Sequence, residues 1–104
     1  MIAPEPRVLA ALAELREEYS RELPPLITAL AATVARLGTE DDALGDAKVR
    51  AHRLHGTAGS YGFHRVSEAA ANLERELEAP SPANTIAIEV ALAAVFAALP
   101  KSER

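Results

Sequence analysis

The 104-residue chain has no cysteine and no tryptophan, and its only aromatics are two Phe and two Tyr. Without thiols there can be no disulfide scaffold, no thiolate zinc site and no cysteine nucleophile, a composition compatible with a reducing compartment. Without bulky rings the core must be built from aliphatic side chains. The chain has 23 alanines within a hydrophobic share of 49%, a composition of strong helix formers that favours an all-α protein. No apolar run approaches the roughly 18 residues of a membrane-spanning helix. The opening stretch Met1 to Val8 lacks the basic region and apolar core of a secretory signal, so a cytoplasmic protein with no membrane partner is expected. Basic charge is also scarce: the formal net charge is −4. No stripe of Lys and Arg is available to track phosphates, and nucleic acid is not an expected partner. The length fits one domain over residues 1–104 and leaves no room for a second folding unit.

What is present is helical periodicity. Leu12, Leu15, Tyr19, Leu23, Leu26, Leu30, Val34 and Leu37 recur at steps of three and four. Pro24 and Pro25 interrupt this stripe and cannot donate the backbone bonds of an unbroken helix, so a kink or restart is expected there. Gly38 suits the left-handed position after a helix, and Thr39 with Asp42 resembles a capping pair for a helix starting near Glu40. That helix carries the seam Leu44, Ala47, Ala51, Leu54 and Ala58; the next carries Val66, Ala69 or Ala70, Leu73 and Leu77; the last carries Ile88, Leu92, Val95 and Leu99. The expected helices run roughly over 5–20, 24–37, 40–59, 63–79 and 84–99. Short connections make the last four an antiparallel up-down-up-down four-helix bundle, with the first as an N-terminal helical extension.

At about 100° per residue, His52 lies roughly 120° from the middle of its helix's seam, on a flank that reaches solvent. Lys48, His55, Gly56 and Gly59 share that flank at spacings of three, four and seven. Glycine inside a helix costs about 1 kcal/mol against alanine, so Gly56 and Gly59 are read as clearing access to His52. Side chains lean toward the helix N-terminus, which places the His52 ring over the turn of Lys48, a candidate electrostatic partner for a bound anion. An imidazole, with an ordinary pKa of about 6.5, is a competent nucleophile near neutral pH.

The stretch AHRLHGTAGSYGF, followed by Val66-Ser67-Glu68-Ala69-Ala70 and by Leu73-Glu74, resembles the histidine-phosphotransfer (HPt) domain family of two-component phosphorelays. The family pattern reads approximately A-H-x-L-K-G-S-A-x-x-x-G with L-E on the next helix. The matching residues are Ala51, His52, Leu54, Gly56, Thr57, Ala58, Gly62, Leu73 and Glu74. The resemblance implies that His52 accepts a phosphoryl group, through Nε2, from an aspartyl phosphate on a response-regulator receiver domain and passes it to another. It implies a phosphocarrier without autokinase activity and with no cofactor of its own, the partner receiver holding Mg2+. A hybrid histidine kinase is a further possible partner. Val49 and Tyr61 are candidate docking-rim residues by position. His55 stands where many members carry lysine; its charge varies across physiological pH, so a pH-dependent phosphohistidine lifetime is expected, and a lifetime flat from about pH 6 to 8 would remove that idea.

Other readings stay open for single residues. Lys48 could be an ordinary surface lysine, and the glycines could serve helix packing. His52 and His55, with or without His64, have metal-ligand spacing, but no third ligand follows from the spacing and no metal is expected. His64 reads as a surface residue, and Glu74, Glu76 and Glu78 as a solvated helix face, with Glu74 pairing locally at most. A scaffold or inhibitor that docks a receiver or kinase without carrying phosphate is the alternative function. A monomer is expected, with the broadly apolar last helix as the place for any dimer seam.

Overall fold

A computed structural model describes residues 5–100; residues 1–4 and 101–104, which include half of the stretch read for a targeting signal, lie outside that description. The described chain is four α-helices: α1 Pro6–Ala35, α2 Ala43–Ser60, α3 His64–Glu76 and α4 Thr85–Ala97, with a short 3-10 turn at Pro82–Asn84 before α4. They form the expected helical bundle, and no strand occurs among the described residues.

The break expected at Pro24 and Pro25 is absent, because α1 runs unbroken through both. An interior proline costs about 3 kcal/mol in an isolated helix. Burying one or two aliphatic side chains offsets a cost of that size, and Leu23, Ile27 and Leu30, all 0–1% exposed, flank the prolines on one face. The prolines themselves face solvent. The extension and the first bundle helix are therefore one element whose residues 6–18 are exposed throughout. Within the stripe the core takes Ile27 rather than Leu26, while Leu12 and Leu15 stay about half exposed. Buried Thr33 satisfies its hydroxyl by donating to the Ala29 carbonyl at 2.9 Å.

The seam of α2 is as periodicity predicts at Ala47, Ala51, Leu54 and Ala58, which are buried; at its start Ala43 takes the buried place and Leu44 packs only partly against the core. Helix α2 starts three residues later than expected, at Ala43. The Thr39 hydroxyl donates back to the Arg36 carbonyl at 2.9 Å rather than capping α2. Gly38 does take the left-handed conformation, at φ 86°. Val66, Ala70 and Leu73 from α3, with Leu77 just past its end, meet Ile88 and Val95 from α4 in the same core.

The root of the exposed half of α1 is tied to the turn between α2 and α3. Tyr19 stacks on Tyr61 with ring centroids 4.8 Å apart, Arg16 donates from Nε to the Tyr61 carbonyl at 3.1 Å, and the Arg16 guanidinium lies 4.3 Å from the Phe63 ring centroid. Burial, reinforced by the Glu22 carboxylate and the neighbouring Tyr61, pushes the Tyr19 phenol above its ordinary value. Gly62, at φ 87°, makes the turn that swings Phe63 into the core.

Candidate functional site: a carboxylate between two histidines

Alanines on the α2 seam keep side chains short on that side, and at Gly59 there is none. A Cβ on Gly59 would meet the Ser67 Oγ of α3 at 3.1 Å. Ser67 uses this closeness to donate its hydroxyl to the His55 carbonyl at 2.7 Å, pinning α3 to α2 one turn before Gly59. Gly59 thus sits where α3 approaches α2, which fits the helix-packing reading of this glycine. Gly56 differs, since a Cβ there would meet nothing within 4 Å and would point into open space.

The close approach brings Glu74 of α3 to both histidines of α2. The His52 Nδ1 lies 2.7 Å from Glu74 Oε2, and the His55 Nδ1 lies 3.2 Å from Glu74 Oε1. The two imidazoles stand nearly perpendicular, 87° between planes, with centroids 6.4 Å apart. The Glu74 side chain is 24% exposed, His55 45% and His52 75%. The carboxylate is thus held in the helix groove while the His52 ring stands out in solvent. A carboxylate only accepts hydrogen bonds, so the paired Nδ1 must carry the proton and neutral His52 is left with its lone pair on Nε2. An exposed nucleophilic nitrogen backed by an anion is a site for attack on an electrophile brought by a partner.

The other expected residues are distributed less tightly. Lys48 is half-buried one turn before His52 and pairs with no carboxylate among the described residues. Val49 is exposed on the outer side of α2. Tyr61, expected on a docking rim, is a half-buried partner of Tyr19, and at a helical rise of 1.5 Å per residue it sits about 13 Å along the axis from His52. His64 is exposed at the start of α3 and is not part of the cluster.

The contact of Glu74 with both histidines is what sequence reasoning missed. Read along its own helix Glu74 falls with Glu76 and Glu78 as a solvated face. Yet it follows the fully buried Leu73 and lies one turn after the fully buried Ala70, at the edge of the buried stripe. That edge position was the available signal.

No curated protein and no solved structure shows significant similarity to the chain. The family model described as Hpt domain matches residues 14–100, from the last exposed turns of α1 to just past the end of α4. With most of the chain covered, the protein belongs to the Hpt domain family, the phosphocarriers of two-component phosphorelays.

Proposed function

We propose that His52 is the phosphoryl acceptor, taking the group from an aspartyl phosphate of one receiver domain and delivering it to the aspartate of another. The observation that carries this reading is the 2.7 Å contact of Glu74 with His52 Nδ1, which directs the lone pair to the exposed Nε2. In the forward step the Nε2 lone pair attacks phosphorus and forms the P–N bond. The P–O bond to the aspartyl carboxylate breaks, and its electron pair leaves with that carboxylate. The ring becomes cationic as the bond forms, and Glu74, already against Nδ1, stabilises that charge. Delivery to the second receiver is the reverse step with a new aspartate.

The chain contributes the nucleophile and its orienting carboxylate. Magnesium chemistry at the phosphorus belongs to the receiver, so the protein needs no cofactor of its own and works as a carrier without autokinase activity in the cytoplasm. Lys48, one turn before His52, is positioned to attract the incoming phosphoryl oxygens. The open surface at Gly56 and the exposed Val49 give a receiver room to dock around the ring. His55 supports the site by sharing Glu74, which limits the carboxylate's freedom to rotate away from His52.

Intact mass measured at neutral or alkaline pH, after mixing with a magnesium-loaded phosphorylated receiver, tests the proposal. A phosphate adduct is expected on the wild type and none on His52→Gln. Binding of several competent receivers with no adduct on either protein would replace the carrier with the docking scaffold or inhibitor.

A further inference from the structure

His52, His55 and Glu74 each offer one ligand atom to a set whose members lie within 4.8 Å of one another. The third ligand that helical spacing of the histidines did not supply comes from the neighbouring helix. Two imidazole nitrogens and one carboxylate oxygen with an open fourth side make the donor set of a tetrahedral zinc site with one exchangeable position. Donors in such a shell stand about 3.3 Å apart, from metal–ligand bonds of about 2.0–2.1 Å. Both histidine side chains are at least 45% exposed, which leaves them room to rotate toward this spacing. Soft-to-borderline nitrogen ligands select against magnesium, which demands oxygen and keeps its water. The receiver's own ion would therefore not compete for this set.

We propose that His52, His55 and Glu74 bind Zn2+ through the two Nδ1 atoms and the carboxylate, and that the bound ion silences phosphoryl acceptance. The silencing half rests on the phosphocarrier reading; the binding half does not. Its chemistry follows from the ring. Glu74 alone keeps the proton on Nδ1 and the lone pair on Nε2. A metal taking the Nδ1 lone pair requires the proton to sit on Nε2, with no net proton lost from a neutral imidazole. The nitrogen that faces a receiver is then an N–H, with no lone pair to attack phosphorus. One carboxylate would thus select the reactive tautomer when the site is empty of zinc and help hold the unreactive one when zinc is bound.

The test has two arms on the whole chain. First, zinc is titrated against a chromophoric chelator, and the histidine ring nitrogens are followed by 15N NMR in the absence and presence of zinc. Expected are one saturable site per chain, a metal-induced shift of the Nδ1 atoms of His52 and His55, and binding weakened in His55→Ala and Glu74→Ala. The weakening should be at least the roughly tenfold that loss of an outer-shell partner costs, with His64→Ala and added Mg2+ changing nothing. Circular dichroism of each variant establishes that it is folded. Absence of a saturable site, equal affinity in the folded variants, or coordination through Nε2 would overturn the proposal. Second, phosphorylation by phosphoramidate, a small donor that needs no receiver, is compared with and without one equivalent of zinc. Loss of uptake with zinc supports silencing, and unchanged uptake at full zinc occupancy overturns it. Failure of the zinc-free protein to take up phosphate would count against the carrier reading alone, because the titration and nitrogen shifts decide metal binding independently.

Discussion

The two ends of the apolar pattern in this chain meet different fates. Val8, Leu9, Leu12 and Leu15 of α1 follow helical spacing as faithfully as the seam of α2, yet each is 45–52% exposed while Ala47, Ala51 and Ala58 are fully buried. The difference lies in the partner. Where α3 crosses α2, small residues let two helices approach until a serine reaches a backbone carbonyl and a glutamate reaches two histidines. Where α1 runs past Tyr19 toward its start, no helix among the described residues covers it. Periodicity reports that a face exists, and only the fold reports what covers it.

That contrast can be broken at several points. The largest effect belongs to His52→Gln, which should abolish phosphoryl uptake while leaving the helical signal and the thermal transition unchanged; residual uptake would put the acceptor elsewhere, with His55 the first candidate. Ile27→Ala removes a fully buried side chain from the covered half of α1 and should lower stability by about 2–5 kcal/mol in a denaturant titration. Glu74→Ala should leave the fold intact and slow phosphoryl acceptance by roughly 10- to 150-fold, the loss expected for a hydrogen bond to a charged group. An unchanged rate would remove Glu74 from the mechanism. The two glycines give a finer comparison. Gly56→Ala meets open space and should gain about 0.5–1 kcal/mol from helix propensity. Gly59→Ala crowds Ser67 and should gain less or lose stability, and equal gains would contradict the close approach of α3. The smallest effect is expected of Leu12→Ala in the exposed half of α1, within about 0.5 kcal/mol of wild type. A loss as large as that of Ile27→Ala would show that this face is covered in solution.

Much of this was legible in advance. The seams of α2 and α3 came largely from spacing alone, as did the exposure of His52, because these helices have one apolar stripe each and a flank that is plainly polar or small; α4 is apolar on most sides, and there Ala91 is buried, Leu92 and Leu99 are only partly covered, and Ile86 and Val90 face solvent. The continuity of α1 was not legible. Local chemistry at Pro24 and Pro25 argues for a break, and the burial of Leu23, Ile27 and Leu30 that overrides it is a tertiary effect. Leu26 and Ile27 both satisfy a helical step from Leu23, and the choice between them depends on the direction from which α2 and α4 arrive. Glu74 and Gly59 escaped for one shared reason: their roles are set by the register of α3 against α2. A single helix projected on its own axis carries no information about its neighbour's register.

The resemblance carried by Ala51, His52, Leu54, Gly56, Thr57, Ala58, Gly62, Leu73 and Glu74 included this glutamate before its contacts with the two histidines were visible. What the fold adds is a physical reason for that residue. It lies 2.7 Å from Nδ1 of His52, and under the proposed function that contact keeps the proton on Nδ1 and leaves Nε2 of the exposed ring to react. On the proposed function, a histidine on an open helix flank would act as a carrier because the partner supplies the enclosure while this chain supplies an oriented nucleophile.

The most direct test of that claim is the nitrogen to which phosphorus becomes attached, read by 15N NMR with phosphorus coupling on the phosphorylated, histidine-labelled protein. The account predicts coupling at Nε2 of His52, with its Nδ1 protonated and held by Glu74. Phosphorus on Nδ1 of His52, or on His55, would contradict it.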